Sequence, residues 1–281
     1  QRPSVTYMPG SGRSLFCGGD TGSTITKIEL IHIPTLGNSS DFGDLLQGTS
    51  NGGAIGSSLI KSVSYGGYAG GSSPYHTNVI QQTFFATQGN SSDFGDTVTL
   101  AYGRHYSTTG NTTRGVFVGG YVAASPHLQN EIDYITFATT GNGTDFGDLV
   151  GVTQSPGGVC SNTRACYGGG NTPSATDKID YITIASTGDA SDFGDLTESR
   201  GALSGVSSSV RGVFGGGNPT TTTMDYITIA STGDATDFGD LSQSRREPMG
   251  SSNTTRGVWQ GGKTPTKVNT CDYITIASTG N

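Results

Sequence analysis

The chain has 281 residues, of which only 32% are hydrophobic while 46 are glycine, too few aliphatic side chains to fill the cores of packed helices. Tyr, Phe and Ile nevertheless recur at fixed places and only 13% of residues are charged, which argues against a charge-solvated disordered chain. A net charge of −7 with sparse, dispersed Lys and Arg argues against a nucleic-acid partner, whose phosphates require clustered cations.

Taken in chain order, the sequence divides into six repeats, each expected to form four short strands. The first, 1–48, carries Phe16 one residue before a glycine pair, a strand near Leu30, and Phe42 inside the string Asp-Phe-Gly-Asp. The second, 49–100, carries Tyr68 before a glycine pair, a strand near Phe84, and Phe94 in the same string. The third, 101–152, has Phe117, then Asp133-Tyr134, then Phe146, and the fourth, 153–199, has Tyr167, Asp180-Tyr181 and Phe193. The fifth, 200–244, is the best preserved and runs through Phe214, Asp225-Tyr226 and Phe238. The sixth, 245–281, has Trp259 and Asp272-Tyr273 but stops after Ser-Thr-Gly, where the others continue into Asp-Phe-Gly-Asp.

The phenylalanines of that string stand 52, 52, 47 and 45 residues apart by subtraction, a spacing in the range of propeller blades. Along Asp225–Ala230 both strand faces are partly apolar, as expected for sheets covered on two sides rather than one. The expected fold is therefore all-β: a six-bladed β-propeller of four-stranded antiparallel blades, the last blade incomplete, forming one domain over 1–281. The eleven named aromatics Phe16, Phe42, Tyr68, Phe94, Phe117, Phe146, Tyr167, Phe193, Phe214, Phe238 and Trp259 are expected to be structural anchors. Arginines eleven apart, Arg2 and Arg13, Arg200 and Arg211, Arg245 and Arg256, show that the chain begins in phase. A start at Gln1 and a missing sixth fourth strand lead to the expectation of a processed protein or a piece of a longer one.

Strand, aromatic, diglycine, tyrosine strand and an aromatic after a turn together resemble the kelch repeat of β-propellers, with phenylalanine where kelch has tryptophan. More narrowly, the fifth repeat's DYITIASTGDATDFGDL with RGVFGGG is similar to tandem repeats of virion structural and tail-fibre-like proteins of marine bacteriophages, especially those infecting cyanobacteria. The resemblance implies a virion location, a structural role and other virion proteins as partners. Ser91–Thr97 also looks like a sialidase Asp-box, itself a structural turn, but lacks its closing aromatic.

No catalytic centre is expected. His32, His76, His105 and His127 have no metal-ligand spacing, and the repeated acids Asp189, Asp192 and Asp195 are explained by turn chemistry as well as by calcium. Neither cofactor nor metal is expected, and no apolar run is long enough to insert into a membrane. Arg114, Arg164, Arg211 and Arg256 are expected to pair locally with Asp. The four cysteines read as buried thiols, with a Cys160–Cys166 bridge left open. The candidate binding residues are Tyr75, His76, Tyr121 and His127, aromatic and histidine side chains in adjacent loops that suit a host-surface glycan or a protein partner. A carbohydrate-active propeller enzyme and a cell-surface adhesion propeller are the alternatives.

Overall fold

The computed structural model describes residues 12–21, 23–35, 37–50, 53–57, 60–70, 76–98, 109–122 and 125–280. They hold no helix and form six small antiparallel sheets in chain order, with a two-stranded ribbon Lys263–Thr264 and Thr266–Lys267 in the last. The fourth sheet shows the plan: Gly157–Cys160, Arg164–Gly168, Lys178–Thr183 and Ser191–Asp195, each strand paired with the next. The second sheet (Gly53–Ser57, Lys61–Tyr65, Val79–Phe84, Ser92–Asp96) repeats it, as do the third, ending in Glu131–Thr136 and Thr144–Asp148, and the fifth, ending in Thr221–Thr228 and Thr236–Arg245. Among the described residues the first sheet (Arg13–Cys17, Lys27–His32, Ser40–Asp44) and the sixth (Met249–Ser252, Arg256–Gln260, Cys271–Thr275) have three strands each.

The Asp-Phe-Gly-Asp string works as a bulge. In the fourth sheet Ile179 pairs with Gly194 and Asp180 with Asp192, so Phe193 has no partner across the ladder. Freed from the pleat, its ring drops between sheets and packs with Ile227 and Ile229 of the fifth. Phe146 meets Ile182 and Ile184 in the same way, and Phe238 meets Ile274 and Ile276. The glycine that follows permits the approach: its backbone φ is 146° at Gly194, and an added Cβ would stand 2.5 Å from the carbonyl oxygen of Gly233. The neighbouring turn closes the clip, because Gly233 N–H donates to Phe193 O at 2.8 Å and Gly280 N–H to Phe238 O at 2.8 Å.

Two further devices tie neighbouring sheets together. The diglycine after the second strand turns its amides outward, so that Gly170 N–H donates to Arg200 O and Gly217 N–H to Arg245 O. Arg164 lies over the Tyr181 ring, 4.3 Å from its centroid, and donates to Ile229 O at 3.0 Å. Arg114, Arg211 and Arg256 stack likewise on Tyr134, Tyr226 and Tyr273. The expected pairing of these arginines with Asp is thus corrected: a planar cation between a ring and a backbone carbonyl bridges two sheets, which a local ion pair would not. Arg256 of the sixth sheet makes its bond to Ile33 O of the first at 3.1 Å, and Ser14 Oγ of the first meets Ser251 Oγ of the sixth.

Ten of the eleven expected anchors are buried. Tyr68 is the correction: it is 37% exposed and lies beyond the strand. In this repeat Gly66, whose N–H donates to Val79 O as that of Gly18 does to Lys27 O, and Gly67 take the diglycine place, so Ser64 holds the anchor position and buried Tyr65 beside it packs against Phe117, ring centroids 4.5 Å apart. None of the four cysteines is in a disulfide, and Cys271 is exposed rather than buried. Cys160 pairs across the ladder with Ala165, not Cys166, and its thiol donates instead to Gly110 O of the third sheet at 3.0 Å.

Candidate functional site on the loop face

In an antiparallel sheet the second-to-third-strand loop and the connection into the next sheet leave from one end. These segments touch their counterparts: Thr24 Oγ1 donates to Ala69 O, Arg246 Nη1 to Asn218 Oδ1, and Lys267 Nζ to Asp20 O of the first sheet at 2.6 Å. Among the described residues these polar contacts join the loops of the first and second, the fifth and sixth, and the sixth and first sheets.

Of the candidate binding residues, Tyr75 lies outside the described residues. His76 is half-buried, with its backbone bridged to Tyr68 and its ring edge-on to the Tyr68 ring at 6.3 Å. Burial pushes its imidazole pKa below the ordinary value, so it is neutral at neutral pH. In the next loop Tyr121 and His127 stack face to face, centroids 5.0 Å apart and planes 3° from parallel. The Tyr121–Leu128 bridge and the bond between His127 Nδ1 and Val122 O fix that stack. The arrangement is two ring pairs, one per loop, and Tyr68, read from sequence as an anchor, belongs to the first. Chemically the exposed His127 and half-buried Tyr121 offer flat apolar surface beside polar atoms, the combination that receives a sugar ring.

A second feature of this face was not visible in the individual motifs. In the fifth sheet Arg200, reaching back from the connection, is buried and meets buried Asp225 at 2.8 Å; in the sixth, Arg245 meets Asp272 at 2.6 Å. The fourth sheet keeps the acid, Asp180, but Thr153 stands where the arginine would be. A cavity of about 340 Å³ opens there, lined by Asp180, Thr153, Tyr167, Val150, Val152 and Pro156 among others. Asp180 Oδ2 accepts the Val150 amide at 3.2 Å. Aligning Thr153 with Arg200 and Arg245, and Asp180 with Asp225 and Asp272, is the sequence signal that would have found it.

Burial pushes the Asp180 carboxyl up to about 6, with Asp192 nearby adding to the effect and the Val150 amide opposing it. The folded value exceeds the unfolded one, so the fold favours the protonated acid and loses this contribution as pH rises from about 4 through 6. Asp180→Asn is expected to leave stability unchanged at pH 4 and to raise it at pH 7 by about 1 kcal/mol, the full shift being reduced by the site's partial opening to solvent. Urea denaturation at the two pH values checks this.

The first acid of the repeated string is a turn acceptor: Asp189 Oδ1 accepts the Asp148 amide and Asn90 Oδ1 the Asp44 amide, both at 3.0 Å. Either side chain fills that role, which is why both Asn and Asp occur there. No protein-family model matches the chain, and no curated protein does either.

Proposed function

We propose that the six sheets are blades of a kelch-like six-bladed β-propeller serving as a non-enzymatic module of a phage particle, a tail-fibre-like appendage that presents its loop face to a host-surface glycan. The observation that carries the architecture is the bond from Arg256 to Ile33, which joins the last sheet to the first through the same atoms and at the same 3.1 Å as the Arg211–Ile276 bond between consecutive sheets. A linear stack would have no reason to repeat the contact between its two ends. The virion setting rests on the likeness of the fifth repeat to tail-fibre-like repeats, and adsorption on the paired rings of the second and third loops.

Electron-microscopy averages of the isolated chain are expected to show a six-lobed disk; a rod would overturn the architecture. On an array of host-surface glycans, wild-type binding is expected to fall about tenfold or more in Tyr121→Ala/His127→Ala, from the loss of two ring contacts of roughly 0.5–1.5 kcal/mol each. Tyr75→Ala/His76→Ala tests the neighbouring loop in the same assay. Absence of binding to every host glycan and to host cells would overturn the adsorption reading.

A further inference from the structure

We propose that the cavity beside Asp180 in the fourth sheet is a binding site for an alkyl-guanidinium cation. The argument comes from comparing equivalent places in the molecule. In the fifth and sixth sheets an arginine guanidinium occupies this position, held by the acid of the third strand and by the carbonyl of the anchor residue: Arg200 Nη2 reaches Asp225 and Phe214 O, and Arg245 Nη2 reaches Asp272 and Trp259 O. The second sheet also lacks the arginine, with Thr49 in its place, but there the acid is replaced too. Neutral Gln81 stands in that position and accepts the Leu46 amide at 2.6 Å and the Ser91 hydroxyl at 2.9 Å. Only the fourth sheet combines a retained carboxylate with a missing cation among these four sheets.

What surrounds Asp180 fits such a guest. The Thr153 hydroxyl is buried and has no hydrogen-bond partner among the described residues. Lys178, the nearest cation lining the cavity, is engaged with Asp195 at 2.7 Å, and Asp192 adds a second carboxylate to the wall. Leu149, Val150, Val152 and Pro156 supply an apolar side for an alkyl stem, with Val150 63% and Val152 42% exposed. A planar guanidinium can serve a carboxylate and a carbonyl at once, as Arg200 does in the next sheet, which an ammonium does less well. Burial raises the pKa of Asp180, with Asp192 adding to the effect and no neighbouring cation opposing it, as expected where the arginine of the next sheet has no counterpart.

The full chain should be titrated calorimetrically with methylguanidinium and with its neutral counterpart methylurea, and binding located by amide chemical shifts. Methylguanidinium is expected to bind once, with a Kd on the order of 1 mM for so small a ligand, and to move the Val150 amide; methylurea is expected not to bind. Asp180→Asn should weaken binding at least tenfold. Thr153→Arg, which restores the side chain found in the next sheet, should abolish binding and raise Tm. Agmatine and the peptide Gly-Arg-Gly distinguish a diffusible cation from an arginine of another protein by which binds tighter. Equal binding of methylurea, a Kd unchanged in both variants, or a lower Tm in Thr153→Arg would overturn the proposal.

Discussion

Asp225→Ala is expected to cost about 3–5 kcal/mol, because it strands a buried guanidinium rather than merely deleting a contact. Arg200 is 1% exposed and Asp225 not at all, and the acid also accepts from the Thr197 hydroxyl and amide. Removing the carboxylate leaves the cation with Phe214 O and the partly exposed Glu198, neither able to replace a buried charge partner. The double substitution Arg200→Met/Asp225→Leu keeps the volume without either charge and is expected to lie near wild type. Urea midpoints at pH 7 measure both. If the single and double variants lose stability equally, the penalty does not come from the unpaired charge.

Gly194→Ala is expected to cost about 2–6 kcal/mol, adding roughly 1–3 for a backbone shape that L-residues avoid to roughly 1–3 for overpacking. The collision is with main chain: an added Cβ would stand 2.5 Å from Gly233 O and 2.9 Å from Asp234 N, and no side-chain rotation relieves it. Gly233 makes the natural control. Its φ of 150° is similarly unfavourable, yet an added Cβ there meets nothing within 4 Å. Gly233→Ala should therefore show the backbone part alone, and the difference between the two variants isolates the close approach between sheets. A smaller loss at Gly194 than at Gly233 would contradict that account.

The all-β class, the repeat spacing and the buried phenylalanines were legible because each repeats, and repetition separates architecture from accident. Phe193 could be read as an anchor, but not as the bulged residue, since the register that frees it exists only once Ile179 faces Gly194. Tyr68 misled because two glycine pairs follow each other in that repeat, and only the backbone bonds show which one ends the second strand: Gly66 N–H donates to Val79 O as Gly18 N–H donates to Lys27 O in the first sheet. The arginines were misassigned because their partners, ring and carbonyl, lie on different strands about twenty and sixty-five residues away, as with Arg164, Tyr181 and Ile229. Asp180 escaped notice for the opposite reason. Its significance is a partner not present in its own repeat, and that shows only when repeats are superimposed.

Among the described residues, the contact between the first and sixth sheets is fastened differently from those between consecutive sheets. Consecutive sheets are fastened by a phenylalanine ring and its carbonyl clip, as at Phe193–Gly233, and where the arginine stands, as at Arg164, by its bond as well. Where the sixth meets the first, the described fastenings are polar: Ser14 with Ser251, Arg256 with Ile33 and Pro34, and Lys267 with Asp20. Among the described residues the exposed Lys267–Asp20 pair of this contact lies open to salt, so raising the ionic strength would weaken it while the buried phenylalanine clips between consecutive sheets stayed as they are.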